Sequence, residues 1–408
     1  MALSGYLSLV SGSGRLLAFG LLATFSSSFG QTYFVGIFGP QIQSEFGLSH
    51  TVWGMIYMVG TLASAALLPW TGKQIDRFDL RPYALTVCVC LALACLFISQ
   101  IVGPITLVVA IFLLRHTGQG LMSHAGITSM ARYFDAGRGR AIAIASLGYS
   151  AGEALLPFVA VLAIAALGWR WTYAAAALFT LVAVFPAMLW TLAGHTERHR
   201  LHEERLGAES AAGSSSSATG WSRAEVLRDP RFYLLLPGVL APAMVLTAMF
   251  FHHLNLADAK GWTHAWITGN YVVFAAATML TSLAAGPIID RYGAARLVPY
   301  MLVPLVFAML IVSAVDGAWV VIPYLALAGV NTGLAHTAVS ALWAELYGVS
   351  HLGGIKSLVS SMMVFGTALG PVVMGGLMDQ GYSMDAVCVL FAVYAGVAAA
   401  CMLRALRG

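Results

Sequence analysis

Charge is what this chain lacks most: Asp, Glu, Lys and Arg make up 9% of its 408 residues, whereas 59% are hydrophobic. A soluble domain of that length could not hide so much apolar surface, so the expected solvent is lipid. The basic residues are spread over many short loops, which excludes a nucleic-acid patch despite the net charge of +4. Cysteine is scarce as well. All five, Cys88, Cys90, Cys95, Cys388 and Cys401, fall inside apolar runs, where they act as small hydrophobes and not as disulfide partners. No Gly-x-x-x-x-Gly-Lys-Ser/Thr loop occurs, which argues against a pump driven by ATP. No separate soluble stretch is long enough for catalysis, so neither enzyme activity nor a cofactor is expected. The first apolar run has full span length and no convincing small-residue cleavage site, so it reads as a span and not as a signal peptide.

What is present in abundance is apolar runs of about 20 residues, which exclude the alternating pattern of a barrel. The reading is an all-α membrane protein with twelve transmembrane helices in two six-helix pseudo-repeats. The spans lie at about 15–38, 51–71, 83–102, 105–130, 141–166 and 171–193, then at about 233–256, 265–289, 297–315, 320–345, 354–378 and 385–404. Residues 1–193 form the first bundle and 232–408 the second. Between them, 194–231 reads as a cytoplasmic linker with a flexible stretch from Gly207 to Gly220, Ser214 to Ser217 at its centre, and an amphipathic helix from Trp221 to Arg231.

The repeat is carried by two charged loops. Gly72-Lys73-Gln74-Ile75-Asp76-Arg77-Phe78-Asp79-Leu80-Arg81 follows span two, and Gly286-Pro287-Ile288-Ile289-Asp290-Arg291-Tyr292-Gly293-Ala294-Ala295-Arg296 follows span eight, about 214 positions later. Gly120-Leu121 answers Gly333-Leu334 and Pro157 answers Pro371 at nearly the same offset. With the amino terminus cytoplasmic, only Arg115, Arg170 and Lys260 of the 21 basic residues lie away from the cytoplasmic side. The positive-inside rule therefore places both termini and the linker inside. The expected partners are a small-molecule solute, protons and membrane lipid, with the protein a monomer in a bacterial inner membrane.

In these loops and in Arg115-x-x-Gly118-x-Gly120 the chain resembles the major facilitator superfamily of secondary transporters. The resemblance implies a six-plus-six fold with a midplane cavity lined by spans one, four, seven and ten, opening alternately to either side. It makes Gly72, Asp76, Arg77, Arg81, Gly286, Asp290 and Arg291 gating candidates. Asp76 can meet helix N-terminal amides, and Arg77 and Arg81 can meet carbonyl ends or anionic lipid; the alternative is that these charges only set topology. Asp79 departs from the family pattern, which has glycine there, as Gly293 does in the second copy.

Charges inside the membrane are costly, so Arg115 and Glu153 require a role. Counted from the span ends they differ in depth by roughly 6 Å at 1.5 Å per residue, close enough to pair. One reading is a proton-coupling device that solute can open, with Glu153 as the protonation site; the other is a permanent structural ion pair. The substrate-binding candidates are Gln31, Tyr33, Arg115, Gln119, His252, His253, Asn331 and His336, all on the cavity helices. His124 on span four belongs to the same polar set. Tyr33, Phe251, Tyr271 and Trp343 are candidates to stack a planar ligand. The glycines at 118, 120 and 126 are expected to let helices approach closely.

Two branches of the superfamily are similar. Tyr133-Phe134, Arg138-Gly139-Arg140-Ala141 and Gly168-Trp169-Arg170-Trp171 resemble bacterial monocarboxylate-porter-like proteins, whose span-eight arginine has no counterpart in residues 278–286. Ser28-Phe29-Gly30-Gln31-Thr32-Tyr33-Phe34, Phe250-Phe251-His252-His253 and Lys260-Gly261-Trp262 resemble the family that includes copper and riboflavin importers. No metal site is expected in the leading reading. Met249, His252 and His253, which share a helix face, form the Cu(I) alternative. The expected function is proton-coupled transport of a small organic solute, flavin-like or an anionic metabolite, with a copper importer and a drug or metabolite exporter as alternatives.

Overall fold

The structure is a computed structural model and describes residues 2–134, 137–195, 200, 221–348 and 351–407. Among the described residues there are helices and no strand. Long apolar sequence in lipid must satisfy its own backbone, and a helix does so within one segment. Among the described residues, 11 helices are long and apolar enough to cross a membrane: His50–Asp76, Leu80–Ser99, Pro104–Tyr133, Arg138–Leu167, Trp169–Thr191, Pro230–Phe251, His264–Tyr292, Ala294–Ala314, Ala318–Tyr347, Leu352–Asp379 and Met384–Leu406. These are spans two to twelve of the sequence reading.

Span one completes the twelve, but it is not one rod. A helix Ala2–Ser26 tightens into a 3₁₀ turn, Ser27–Gly30, and the chain extends at Gln31 (φ −81°, ψ 154°). It then resumes as Thr32–Val35, Gly36–Phe38 and Gly39–Phe46. The hydroxyls of Thr24, Ser26 and Ser27 turn back onto the carbonyls of Leu21, Leu22 and Thr24 at 3.0, 2.8 and 2.6 Å. Such bonds compete with the helical ladder. Span seven, the first helix of the second repeat, also breaks. It ends at Phe251, and His252 (φ −107°, ψ 18°) links it to the short helix His253–Lys260.

Packing repeats too. Span five lies on span one and span eleven on span seven; span three lies on span six and span nine on span twelve. Small residues let spans four and five lie close to span one, as expected of a membrane interface. A Cβ on Gly152 would run into the Ser28 side chain, and one on Gly118 would come within 2.8 Å of Gly30 Cα.

The chain forms two compact units, one made of Met1–Val35 and Val59–Ser215, the other of Gly36–Met58 and Ser216–Gly408. In the second unit, Trp53 stacks on Phe251 with ring centroids 5.0 Å apart, and Tyr57 touches the same ring. The start of span two is capped from the end of span eleven. Asp379 accepts hydrogen bonds from the amides of His50 and Thr51 at 3.0 and 2.8 Å and from the Thr51 hydroxyl at 2.5 Å. A carboxylate at a helix N-terminus satisfies orphan amides and complements the dipole.

The stretch from Gly207 to Gly220, with Ser214 to Ser217, lies outside the described residues. The amphipathic helix expected from Trp221 to Arg231 is a single turn, Arg223–Val226, closed by a capping box between Ser222 and Glu225. Pro230 starts the next helix, with Asp229 as its cap, and so cuts the amphipathic pattern short.

Lys260 ends the short helix after span seven and is nearly enclosed, its side chain 3% exposed. It donates to Asp316 at 2.6 Å and pairs with Asp385 at 2.7 Å, tying that helix to the connection between spans nine and ten and to the start of span twelve. Burial alone would lower the ammonium pKa, but the two carboxylates outweigh it and hold it above the ordinary lysine value. A raised pKa contributes stability below the unfolded value, about 10.4, and that contribution fades as pH rises through the folded value. Lys260→Met should therefore lower thermal stability by about 0.5–1 kcal/mol, since its partners stay solvated. The deficit should persist across pH 7–9, and melting curves that coincide with wild type there would contradict the clamp.

Candidate functional site

The break in span one creates a problem that span four solves. Beyond Gly30 the backbone is extended, so carbonyls of the last turn lose their helical donors. Arg115, 1% exposed, donates from Nη1 to Gly30 O at 3.1 Å and to Thr32 Oγ1 at 3.4 Å. Arg115 also opens an eight-residue π-helical stretch, Arg115–Met122. The wider π turn lets Gly118 and the Gln119 amide sit directly against Gly30. π segments recur at functional sites in helices.

Arg115 does not pair with Glu153, contrary to the depth argument. Glu153 is half-buried on span five and has no hydrogen bond or ion pair with another described residue. It lies against the span-one break: the neighbouring Gly152 abuts Ser28, Tyr33 donates to Ser28 Oγ at 2.8 Å, and the Glu153 carboxylate acts electrostatically on Tyr33. One turn before Glu153, the Tyr149 hydroxyl is hydrogen-bonded to Ser123 of span four. The half-buried side chains of Gln31 and Gln119 have no hydrogen bond to a described residue, so their amide groups keep full capacity. Spans four and five thus meet span one at its break, the Gln119 backbone against Gly30, Glu153 acting on Tyr33, and Arg115 bonded to the Gly30 carbonyl.

The candidates of the second unit separate. His253 is fully buried, and its Nδ1 and Nε2 lie 2.7 and 2.6 Å from the hydroxyls of Tyr271 and Tyr324. A neutral imidazole donates through one nitrogen and accepts through the other, so His253 is saturated. That removes one ligand from the Met249, His252 and His253 set. His252, also buried, sits 3.1 Å from Pro371 O through Nε2 and edge-on to His50, tying the span-seven break to spans eleven and two. Asn331 donates to Met301 O at 2.7 Å and is fully buried. His336 is exposed and has no hydrogen bond to a described residue. Of the four rings proposed for stacking, Phe251, Tyr271 and Trp343 are interior, the last packed on Tyr347; only Tyr33 has an open face.

The helical fold agrees with what comparison with known proteins finds. The family profile of the Major Facilitator Superfamily matches residues 20–272 and 256–407. The chain belongs to that superfamily. It is a transporter by family and not an enzyme. Among solved structures, a bacterial homolog to the human lysosomal transporter Spinster, in an inward-facing and occupied conformation, superposes with a TM-score of 0.72 at 16% identity, covering 98% of this chain and 97% of that one. The nucleoside transporter NupG gives a TM-score of 0.71 at 13% identity over 97% and 98%. At such identities the likeness is one of fold. The fosmidomycin resistance protein of Escherichia coli (strain K12) is 31% identical over 160 residues, so the chain spans 38% of itself and 39% of that relative.

The superfamily's signature loops use their charges differently from expectation. Asp76 and Arg77 are exposed, and Asp76 does not reach a helix N-terminus. The carboxylate that caps span three is Asp79, which accepts from the Arg81 amide at 3.3 Å and lies 3.8 Å from His195 Nε2. The carbonyl end is met by Arg132, at the end of span four, which donates to Ile75 O at 2.8 Å with Asp76 3.9 Å away. Asp79 can stand where glycine is usual because its φ is −56°. In the second copy Gly293 has φ 82°, a conformation that suits glycine. With no side chain there, the cap comes from Glu345 at the end of span ten, which accepts from the amides of Ala294 and Ala295 at 2.7 and 3.3 Å. Asp290 and Arg291 stay in the last turn of span eight, both exposed, with Arg291 over the Tyr292 ring.

Sequence reasoning missed Arg132, Glu345, Tyr149 and His116. The first two had a signal, since they occupy equivalent places of the repeat. His116 stacks on Phe112 and reaches Thr71 at 3.1 Å through Nε2, joining spans four and two. His124 lies against Gly72 and Thr128, beside the signature loop.

Two substitutions follow from this geometry. Arg115→Met leaves the Gly30 carbonyl without its donor and should cost about 1–3 kcal/mol, read as a lower melting temperature in the absence of any solute. A variant that melts like wild type but only loses transport would place Arg115 on the solute instead. Glu345→Ala should cost about 1 kcal/mol by loss of a cap, and restoration by Glu345→Asp would show that the carboxylate, not packing, matters.

Proposed function

We propose that this chain is a proton-coupled secondary transporter of a small polar organic solute in a bacterial inner membrane, with both termini and the linker cytoplasmic. The observation that carries the reading is Glu153. A carboxylate within a membrane span, unpaired among the described residues, is costly to keep and therefore marks function. Its place at the broken span one, beside Tyr33 and near the free amides of Gln31 and Gln119, puts a proton-exchanging group next to groups able to hold a polar solute. Protonation of Glu153 and solute binding at that face are then linked, and each shifts the other by the same free energy.

Flavin-like compounds are the leading solute class, and the resemblance of residues 28–34 and 250–262 to importers favours uptake. The Cu(I) alternative is weakened, because both nitrogens of His253 are held by tyrosines. Efflux is the second reading, favoured by the partial likeness to a fosmidomycin resistance protein.

Glu153→Gln in proteoliposomes tests coupling. The variant should lose accumulation driven by a proton gradient while exchange of labelled solute down its own gradient continues. Undiminished uphill uptake by Glu153→Gln would sink the assignment. An acid exterior separates the two readings, since inward proton flow drives uptake by a symporter and efflux by an antiporter.

A further inference from the structure

The three cations that lie away from the signature-loop end are all committed to the fold. Arg115 donates to Gly30 O and Thr32 at the span-one break. Arg170 donates from its two terminal nitrogens to Ser99 O and Ile101 O, at 2.9 and 2.8 Å, with its guanidinium 4.4 Å over the Trp169 ring. Lys260 lies between Asp316 and Asp385. Among the described residues, the half-buried or exposed side chains inside the spans that retain hydrogen-bonding capacity include some of another kind: the amides of Gln31 and Gln119, the phenol of Tyr33, the carboxyl of Glu153 and the imidazole of His336. None of these is a fixed cation, and one is an acid.

We infer that the transported solute carries no net negative charge: it is a neutral or cationic molecule recognised through hydroxyl, amide or ring N–H groups by Gln31, Gln119 and Glu153. The inference rests on the proposed function in taking these faces as the solute's. It removes the anionic metabolite from the classes the sequence allowed, because Arg115, the residue that would have held the anion, is buried with its Nη1 donating to the Gly30 carbonyl and the Thr32 hydroxyl. An anion moved from water to this surface would lose its hydration and find no cation to replace it. Whenever Glu153 is ionised the anion would also meet its negative charge, and that repulsion is stronger where water is scarce. A solute with hydroxyls or amides meets the opposite situation. Primary amides both donate and accept, and a carboxylate accepts strongly, so a polyol or a heterocyclic amide can pair with all three. A site built to hydrogen-bond such groups rejects analogues that leave its own polar atoms unpaired.

The test uses matched pairs that differ by one anionic group: riboflavin and its 5′-phosphate, uridine and its 5′-monophosphate, lactamide and lactate. Thermal stability of the purified protein reads binding, since a ligand specific for the folded state raises it. Proteoliposome uptake with and without a proton gradient reads transport. Stabilisation should be confined to uncharged members, with the anionic partner needing at least about tenfold more for the same shift. Gln119→Lys, which places a cation beside the Gly30 break, should narrow that gap or reverse it. The inference is overturned if an anionic member stabilises wild-type protein at equal or lower concentration, or if Gln119→Lys leaves the discrimination unchanged. It is equally overturned by anion binding in acid that vanishes in His336→Gln, which would make the protonated imidazole the anion's partner. Uptake of a neutral member that ignores the proton gradient would support the charge assignment while removing coupling at Glu153, so the two readings fail separately.

Discussion

A helix broken inside a bilayer leaves carbonyls and amides with no water to turn to, and span one tolerates its break because Arg115 supplies the missing donor. Much else depends on that bond. It fixes where span four stands against span one, and the close approach needs glycine on both sides, at 30 and 118. It explains why a guanidinium, the most expensive group to bury, lies in the membrane at all: its cost is offset by satisfying backbone that would otherwise be orphaned. It also holds the extended Gln31 and the following Thr32–Val35 turn in place, so Tyr33 and Gln31 project from a backbone that regular helix would not provide.

The two repeats reach the same end by different chemistry. At the signature loops each copy must satisfy the amides that open the next span, and a carboxylate does so in both. Asp79 acts within the loop in the first copy, whereas Glu345 acts from span ten in the second. The switch follows from backbone conformation. Where the chain passes through φ 82° only glycine is comfortable, and glycine has no cap to offer. Glu345 occupies the place in its repeat that Arg132 occupies in the first, so one position carries opposite charges because the groups it must satisfy are amides in one copy and a carbonyl in the other. Duplicated architecture therefore persists while the individual contacts diverge.

Most of the architecture was legible in the sequence, because span length, apolar runs and the spacing of repeated motifs are one-dimensional facts. Span one was the exception, although Ser26, Ser27, Ser28 and Gly30 together contain the cause of its break. The site was less legible. Depth along a helix placed Arg115 and Glu153 at similar levels, but pairing requires the same azimuth as well. The π stretch beginning at Arg115 changes azimuth in a way no 3.6-residue count anticipates. Nor does residue type reveal whether a polar group has spare capacity. His253 and His336 look alike in sequence; two tyrosines saturate the first and nothing described binds the second. That distinction is a property of packing across spans.

Satisfaction, not polarity, then separates structural from functional groups in a membrane interior. Arg115, Asn331, His252 and His253 are buried and bonded to fixed partners, so moving them would cost the fold hydrogen bonds that lipid cannot replace. Glu153, Gln31, Gln119 and His336 sit in the same kind of segment without such partners. A transporter needs groups of the second kind, because a side chain can trade protons or hold a passing solute only if releasing it leaves the protein intact. The separation of Arg115 from Glu153 is what makes this possible. Had the two paired as a permanent bridge, the span-one break would have lacked its donor and the acid its freedom to exchange. Committing the arginine to the span-one break leaves Glu153, among the described residues, with no cation paired to it, so its carboxyl can take up a proton and, when ionised, repels an anion.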